Sequence, residues 1–195
     1  MRTEAFEHIA HSHTLLAVAL GGVVATMSAL GATLFERRLL RKERERDGAM
    51  MFGELLSALV RYINLSHGAH GRGDPFGSIT IRMLRSVRRE VEIYERNREG
   101  LILLRDSPLR VEIHGLMARL TFALERILDT TDALVVETDD AVREEMIRSR
   151  DFAYEFLMEC ASQTPPLIAK LEKLAKVKFA PFTEAAALGS AAAPG

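Results

Sequence analysis

The chain has 195 residues, with 26 Lys plus Arg against 27 Asp plus Glu, for a formal net charge of −1. So close a balance leaves no global field to recruit nucleic acid or an acidic partner. Trp is absent and aromatics are few, which argues against stacking platforms for bases or sugars. The single cysteine, Cys160, excludes an intramolecular disulfide and suits a reducing cytoplasm.

Residues 1–13 form a short segment carrying His8, His11 and His13. The imidazoles could gather around a transition metal, but no thiolate accompanies them and Glu4 and Glu7 need not converge. A solvated N-terminal tail is the plainer reading. Residues 14–35, TLLAVALGGVVATMSALGATLF, follow without a formal charge. At helical rise about 22 residues span roughly 33 Å, enough to cross a hydrocarbon core. The stretch therefore reads as a transmembrane helix. A cleavable signal peptide is the competing reading, weakened by the length of the run and the lack of a basic region before it.

Arg37, Arg38, Arg41, Lys42, Arg44 and Arg46 come directly after the run, whereas only Arg2 and the α-amino group precede it. Such an asymmetry predicts an inner-membrane, single-pass protein with its N-terminus outside and its C-terminal domain cytoplasmic. Arg37, Arg38, Arg41 and Lys42 are placed to meet anionic headgroups. Within the run, Ala17, Gly21, Ala25, Ser28 and Ala32 put small side chains on one face, a seam along which two copies could self-associate.

Residues 36–64 continue as a juxtamembrane helix that enters a bundle. Phe52, Leu55, Leu56, Leu59, Val60 and Ile63 recur at helical spacing and predict one core-facing side. Residues 65–78 hold Gly68, Gly71, Gly73, Gly77 and Pro75, which predict a glycine-rich loop beginning near Ser66. His67, His70 and Asp74 could ligate a metal, but a mobile loop does not preorganise them. The glycines match neither the P-loop nor the dinucleotide fingerprint. Arg72-Gly73-Asp74 is an adhesion tripeptide that would meet no receptor on the cytoplasmic side. A flexible connection is the simplest account, and the first place to look for a small ligand.

The remainder of the bundle occupies residues 79–180. Ser78 is expected to cap a helix running to about Leu104, with Leu84, Val87, Val91, Tyr94 and Leu101 as its stripe. Arg82, Arg85, Arg88, Arg89 and Arg96 on it read as a salt-bridged outer face with Glu92 and Glu95, or as a phosphate clamp. Ser107 with Pro108 is expected to open the next helix, folded back on its predecessor, with Leu109, Ile113, Leu116, Leu120, Leu124, Ile127 and Leu134 inside. His114 on it is not followed by the acidic residue of a phosphoacceptor helix and reads as a packed or half-exposed histidine. Thr138, Asp139 and Asp140 mark another start, followed by a stripe of Val142, Met146, Ala153, Phe156 and Cys160.

Thr164-Pro165-Pro166 opens a last helix, read as running to Phe182. Leu167, Leu171 and Leu174 give it an apolar side, opposed by Lys170, Lys173 and Lys176. It either closes the bundle or lies on membrane lipid. Residues 181–195 read as a disordered tail.

No stretch alternates with period two, so no sheet is expected. No serine elbow, zincin helix, paired-cysteine site or acid/base dyad is present in the linear pattern. The fold class is thus all-α: one N-terminal transmembrane helix followed by an antiparallel cytoplasmic bundle of about four helices. The expected function is a membrane-anchored interaction or scaffold protein, not an enzyme. It would need no cofactor and no nucleic acid, and would have membrane lipid, an unidentified protein and a second copy of itself as partners. A transmembrane signalling component is the alternative, and a lipid-headgroup enzyme using the 66–78 loop a further one.

Overall fold

The computed structural model describes the backbone of residues 2–179 and the side chains of Met27 and of residues 30–179. In chain order the elements are α1 (Arg2–Gly71), α2 (Ser78–Asn97), a 3-10 turn (Arg98–Leu103), α3 (Ser107–Ala133), α4 (Asp140–Ser162) and α5 (Thr164–Ala175). No strand occurs among the described residues. The chain divides into two units between Arg44 and Glu45.

In the first unit α1 exposes every side chain from Leu30 to Arg44. Met27, Leu30, Leu34, Phe35, Leu39 and Leu40 are large apolar groups among the exposed ones. Among the described residues no helix is long and apolar enough to cross a membrane. Most side chains of the 14–35 run lie outside the described residues, as do those of Ala17, Gly21, Ala25 and Ser28, the three N-terminal histidines and the 181–195 tail.

The second unit is a helical bundle around one core. α1 contributes Phe52, Leu55, Leu56, Leu59 and Ile63, and α2 contributes Leu84, Val87, Val91 and Tyr94. α3 buries Leu109, Ile113, Leu116, Leu120, Leu124 and Ile127, all positions marked by the three-four spacing. Cross-links give the directions. Arg85 near the start of α2 meets Asp132 near the end of α3, while Tyr94 meets His114. Arg126 reaches Ser149 and Arg119 reaches Gln163. α2, α3 and α4 therefore run up and down in turn, as their short connections require.

Several elements depart from the sequence expectation. α1 does not stop near Asn64 but continues to Gly71, so the 65–78 loop shortens to residues 72–77. Burial explains this: Ile63, Ser66 and Ala69 are buried at helical spacing, which outweighs the low propensity of Gly68. α2 ends at Asn97, and a 3-10 turn replaces its expected last turns. On α4 the core face is Ala153, Tyr154, Leu157, Cys160 and Ala161, while Val142 is exposed.

Two helix caps also move. Asp106, not Ser107, accepts the Leu109 amide at 3.0 Å and puts a negative charge at the start of α3. The α2 start is held by Asp74 in place of Ser78, as described below. Asp139 caps α4 by accepting from Ala141 and Val142, where the acidic run predicts a start.

α5 is shorter than expected, ending at Ala175 with Lys176 in the left-handed region. Leu167 and Leu171 are buried and Leu174 packs against the core, so the apolar side closes the bundle and is not free to lie on lipid. Beyond it, Phe179 folds back on α1, its amide donating to Glu172 at 3.0 Å. A Cβ at Gly53 would collide with the Phe179 ring, so glycine is what admits it. Lys178, 2.8 Å from Glu172, is the main reason that carboxyl titrates below its ordinary value.

Candidate functional site

A recess that gathers aromatic, imidazole and charged side chains lies where the end of α1 meets α4 and the 72–77 turn. Its volume is about 410 Å³, and it is walled by His67 and His70 from α1, Pro75 and Phe76 from the turn, and Tyr154 from α4. Arg150, Asp151 and Glu155, also from α4, supply its charge. Extension of α1 to Gly71 is what builds it. His67 and His70, three residues apart, share one helical face directed at Tyr154.

The turn is fixed by Asp74. Its Oδ2 accepts from the amides of Ile79 at 2.9 Å and Thr80 at 3.0 Å, and its carbonyl accepts from the Thr80 hydroxyl at 2.7 Å. A Cβ on Gly77 would occupy the space of the Asp74 carboxylate, so glycine there lets the side chain reach round. Phe76 takes φ 55°, an unfavourable conformation for an aromatic residue, costing on the order of 1–3 kcal/mol. Ring packing holds it there. Phe76 stands edge-on to His70 at 5.1 Å and to Tyr154 at 5.4 Å, and His70 stacks on Tyr154 at 4.6 Å and 14°.

Arg150 completes the group, with its Cζ 3.8 Å from the centre of the Phe76 ring. Its side chain is only 16% exposed, and its nearest carboxylate is Asp151 at 3.5 Å. The Nε atom is buried without an acceptor. His67 Nδ1 lies 3.3 Å from the Tyr154 hydroxyl. Burial raises the Tyr154 phenol above its ordinary value, with the Ser66 hydroxyl working weakly the other way. Ser66 Oγ is itself fully buried and makes no well-aligned hydrogen bond.

The other expected site residues are spread over the molecule. Asp74 is occupied at the α2 start, so it does not join His67 and His70 in a ligand set; among the described residues no three metal-capable side chains converge. Ala32, Arg37, Arg38, Arg41 and Lys42 are exposed on α1. Lys170 pairs with Glu112 of α3 at 2.6 Å, while Lys173 and Lys176 face outward. On α2, Glu92 lies within 4 Å of Arg88 and Arg96, the salt-bridged outer face foreseen from spacing.

His114 is exposed, and its Nδ1 lies 2.8 Å from Tyr94 Oη. Tyr94 is fully buried, which pushes its phenol up to about 12. Cys160 is buried and its thiol is raised by that burial, so it is not a poised nucleophile.

Linear reading missed Phe76, Arg150 and Tyr154 as partners of the histidines. The one signal was Arg150 within the apolar spacing of α4. No family model, curated protein or solved structure matches this chain.

Proposed function

We propose that this chain is a membrane-anchored helical interaction protein, whose N-terminal part of α1 enters the bilayer and whose bundle binds partners. One observation carries the reading. Met27, Leu30, Leu34, Phe35, Leu39 and Leu40 each expose close to half or more of their surface on a single helix. Exposed apolar side chains in such number mark contact with lipid or another chain. The uncharged 14–35 run immediately before and among them, and the basic cluster after it, support lipid. On the bundle, Val111 and Phe122 are 70% and 68% exposed on α3 at helical spacing with Ala118, which supports a protein-binding face.

The test uses the full chain in cells, tagged at either end. Retention in the membrane pellet after alkaline extraction, with only the N-terminal tag open to external protease, supports the proposal. Release by alkali, or protection of the N-terminal tag, overturns it. The assignment of α1 as helix from Arg2 through Gly71 favours a second reading, a transmembrane signalling component. That reading requires substitutions in residues 1–13 to alter an output of the bundle.

A further inference from the structure

We propose that the recess between α1 and α4 binds a small organic monoanion, a carboxylate on an apolar or aromatic body, with Arg150 as its anchor. The argument begins with the cost of Arg150. Its side chain is mostly buried and its Nε has no acceptor, yet its compensation is a weak pairing with Asp151 at 3.5 Å and the face of Phe76. A charge in that situation is expensive unless an anion reaches it. The recess lies on Arg150 and is large enough for one small ligand. A carboxylate there can take the forked guanidinium contact that Asp151, its sequence neighbour, makes only loosely.

The remaining walls select the rest of the ligand. The Tyr154 phenol, neutral at physiological pH, can donate, and His67 and His70 add ring nitrogens at the same opening. Phe76 and Pro75 offer apolar surface for a ring or a short aliphatic body. Asp151 and Glu155 face the same space and oppose any anion there, the more strongly the higher its charge, so binding rests on the direct fork to Arg150. Dianions and polyanions are therefore disfavoured relative to a monoanion.

Benzoate is a suitable probe, with phenyl phosphate and benzylamine as the dianionic and cationic counterparts of the same ring. The full chain in nonionic detergent is titrated while the ring protons of His67 and His70 are followed by NMR. Benzoate is expected to move both rings saturably with a millimolar midpoint, and to bind more tightly than either counterpart. Arg150→Gln should weaken it roughly tenfold or more, and Arg150→Lys less, because an ammonium keeps the charge but not the fork.

Should Arg150→Gln disturb folding, Asp151→Asn remains decisive. It frees the guanidinium and should tighten benzoate by about threefold or more. Absence of a saturable shift overturns the proposal, as does an undiminished one in a folded Arg150→Gln chain. Unchanged affinity in Asp151→Asn, or preference for benzylamine, overturns it too. Tighter binding of phenyl phosphate than of benzoate rejects the monoanion assignment.

Discussion

Residues 30–44 and 45–71 belong to one helix, but they obey different rules. In the first stretch every side chain is exposed, including Leu34, Phe35, Leu39 and Leu40. In the second, Ala49, Phe52, Leu56, Leu59 and Ile63 are almost wholly buried. Both are helical and both carry large apolar residues, so helix formation does not distinguish them. The second stretch has α2, α4 and the chain beyond α5 against it, whereas the first exposes each of its described side chains. Large apolar side chains thus predict that something will cover them, and only tertiary partners tell whether the cover comes from the same chain.

The largest test of this contrast is a truncation in the second stretch. Phe52→Ala empties a position touching Tyr94, whose ring centre is 6.3 Å away, and should destabilise the bundle by about 3–5 kcal/mol. Chemical denaturation of the detergent-solubilised chain measures it. A loss below about 1 kcal/mol would mean that the second stretch is no more committed to a core than the first.

Gly53→Leu sharpens the contrast from the other direction. It forces a side chain into the space of Phe179 and should cost about 1–3 kcal/mol, since the ring is displaced before α1 moves. Phe179→Ala made together with it should recover part of that loss in the same denaturation assay, because the clash is gone.

Tyr94 supplies a pH test of burial on the α1-facing side of α2. Its phenol is raised from 10.0 to about 12, mainly by desolvation, with Glu95 adding to the rise and Arg98 opposing it. The unfolded chain loses this proton first. The contribution is therefore fully present below about pH 10 and declines as pH rises through about 12. Tyrosinate absorbance should show one phenol ionising last, and Tyr94→Phe should remove that step and the matching loss of stability.

The smallest effect on folding should come from the first stretch. Leu34→Ser and Leu39→Ser are expected to change bundle stability by less than about 0.5 kcal/mol, because both side chains already face outward. Under the proposed anchoring, their effect should appear instead as easier alkaline extraction from membranes. A stability loss comparable with that of Phe52→Ala would assign the first stretch a cover within this chain.

The bundle was legible because Leu84, Val87, Val91 and Tyr94, like Leu109 through Ile127, repeat the helical period that burial demands. Spacing could not foresee that Gly68 would be carried within α1, since propensity and burial conflict there and Ile63, Ser66 and Ala69 decide it. Nor could it distinguish Asp106 from Ser107 as a cap, where adjacent residues have the same capacity. The recess was half legible. Its histidines stood out, but their partner Tyr154 lies 87 positions from His67, and no local pattern records such a pairing.

The return of the chain onto α1 also sets a timetable. Arg46 donates to the Ala175 carbonyl at 2.8 Å across 129 positions, and Phe179 fills the notch at Gly53. At ordinary translation speeds those 129 residues take on the order of 10 s to synthesise. Throughout that interval the core face of α1 has been made while its last covering has not. The nascent bundle therefore presents Phe52 and its neighbours to chaperones, or to a second nascent chain, before its own C-terminal segment can displace them.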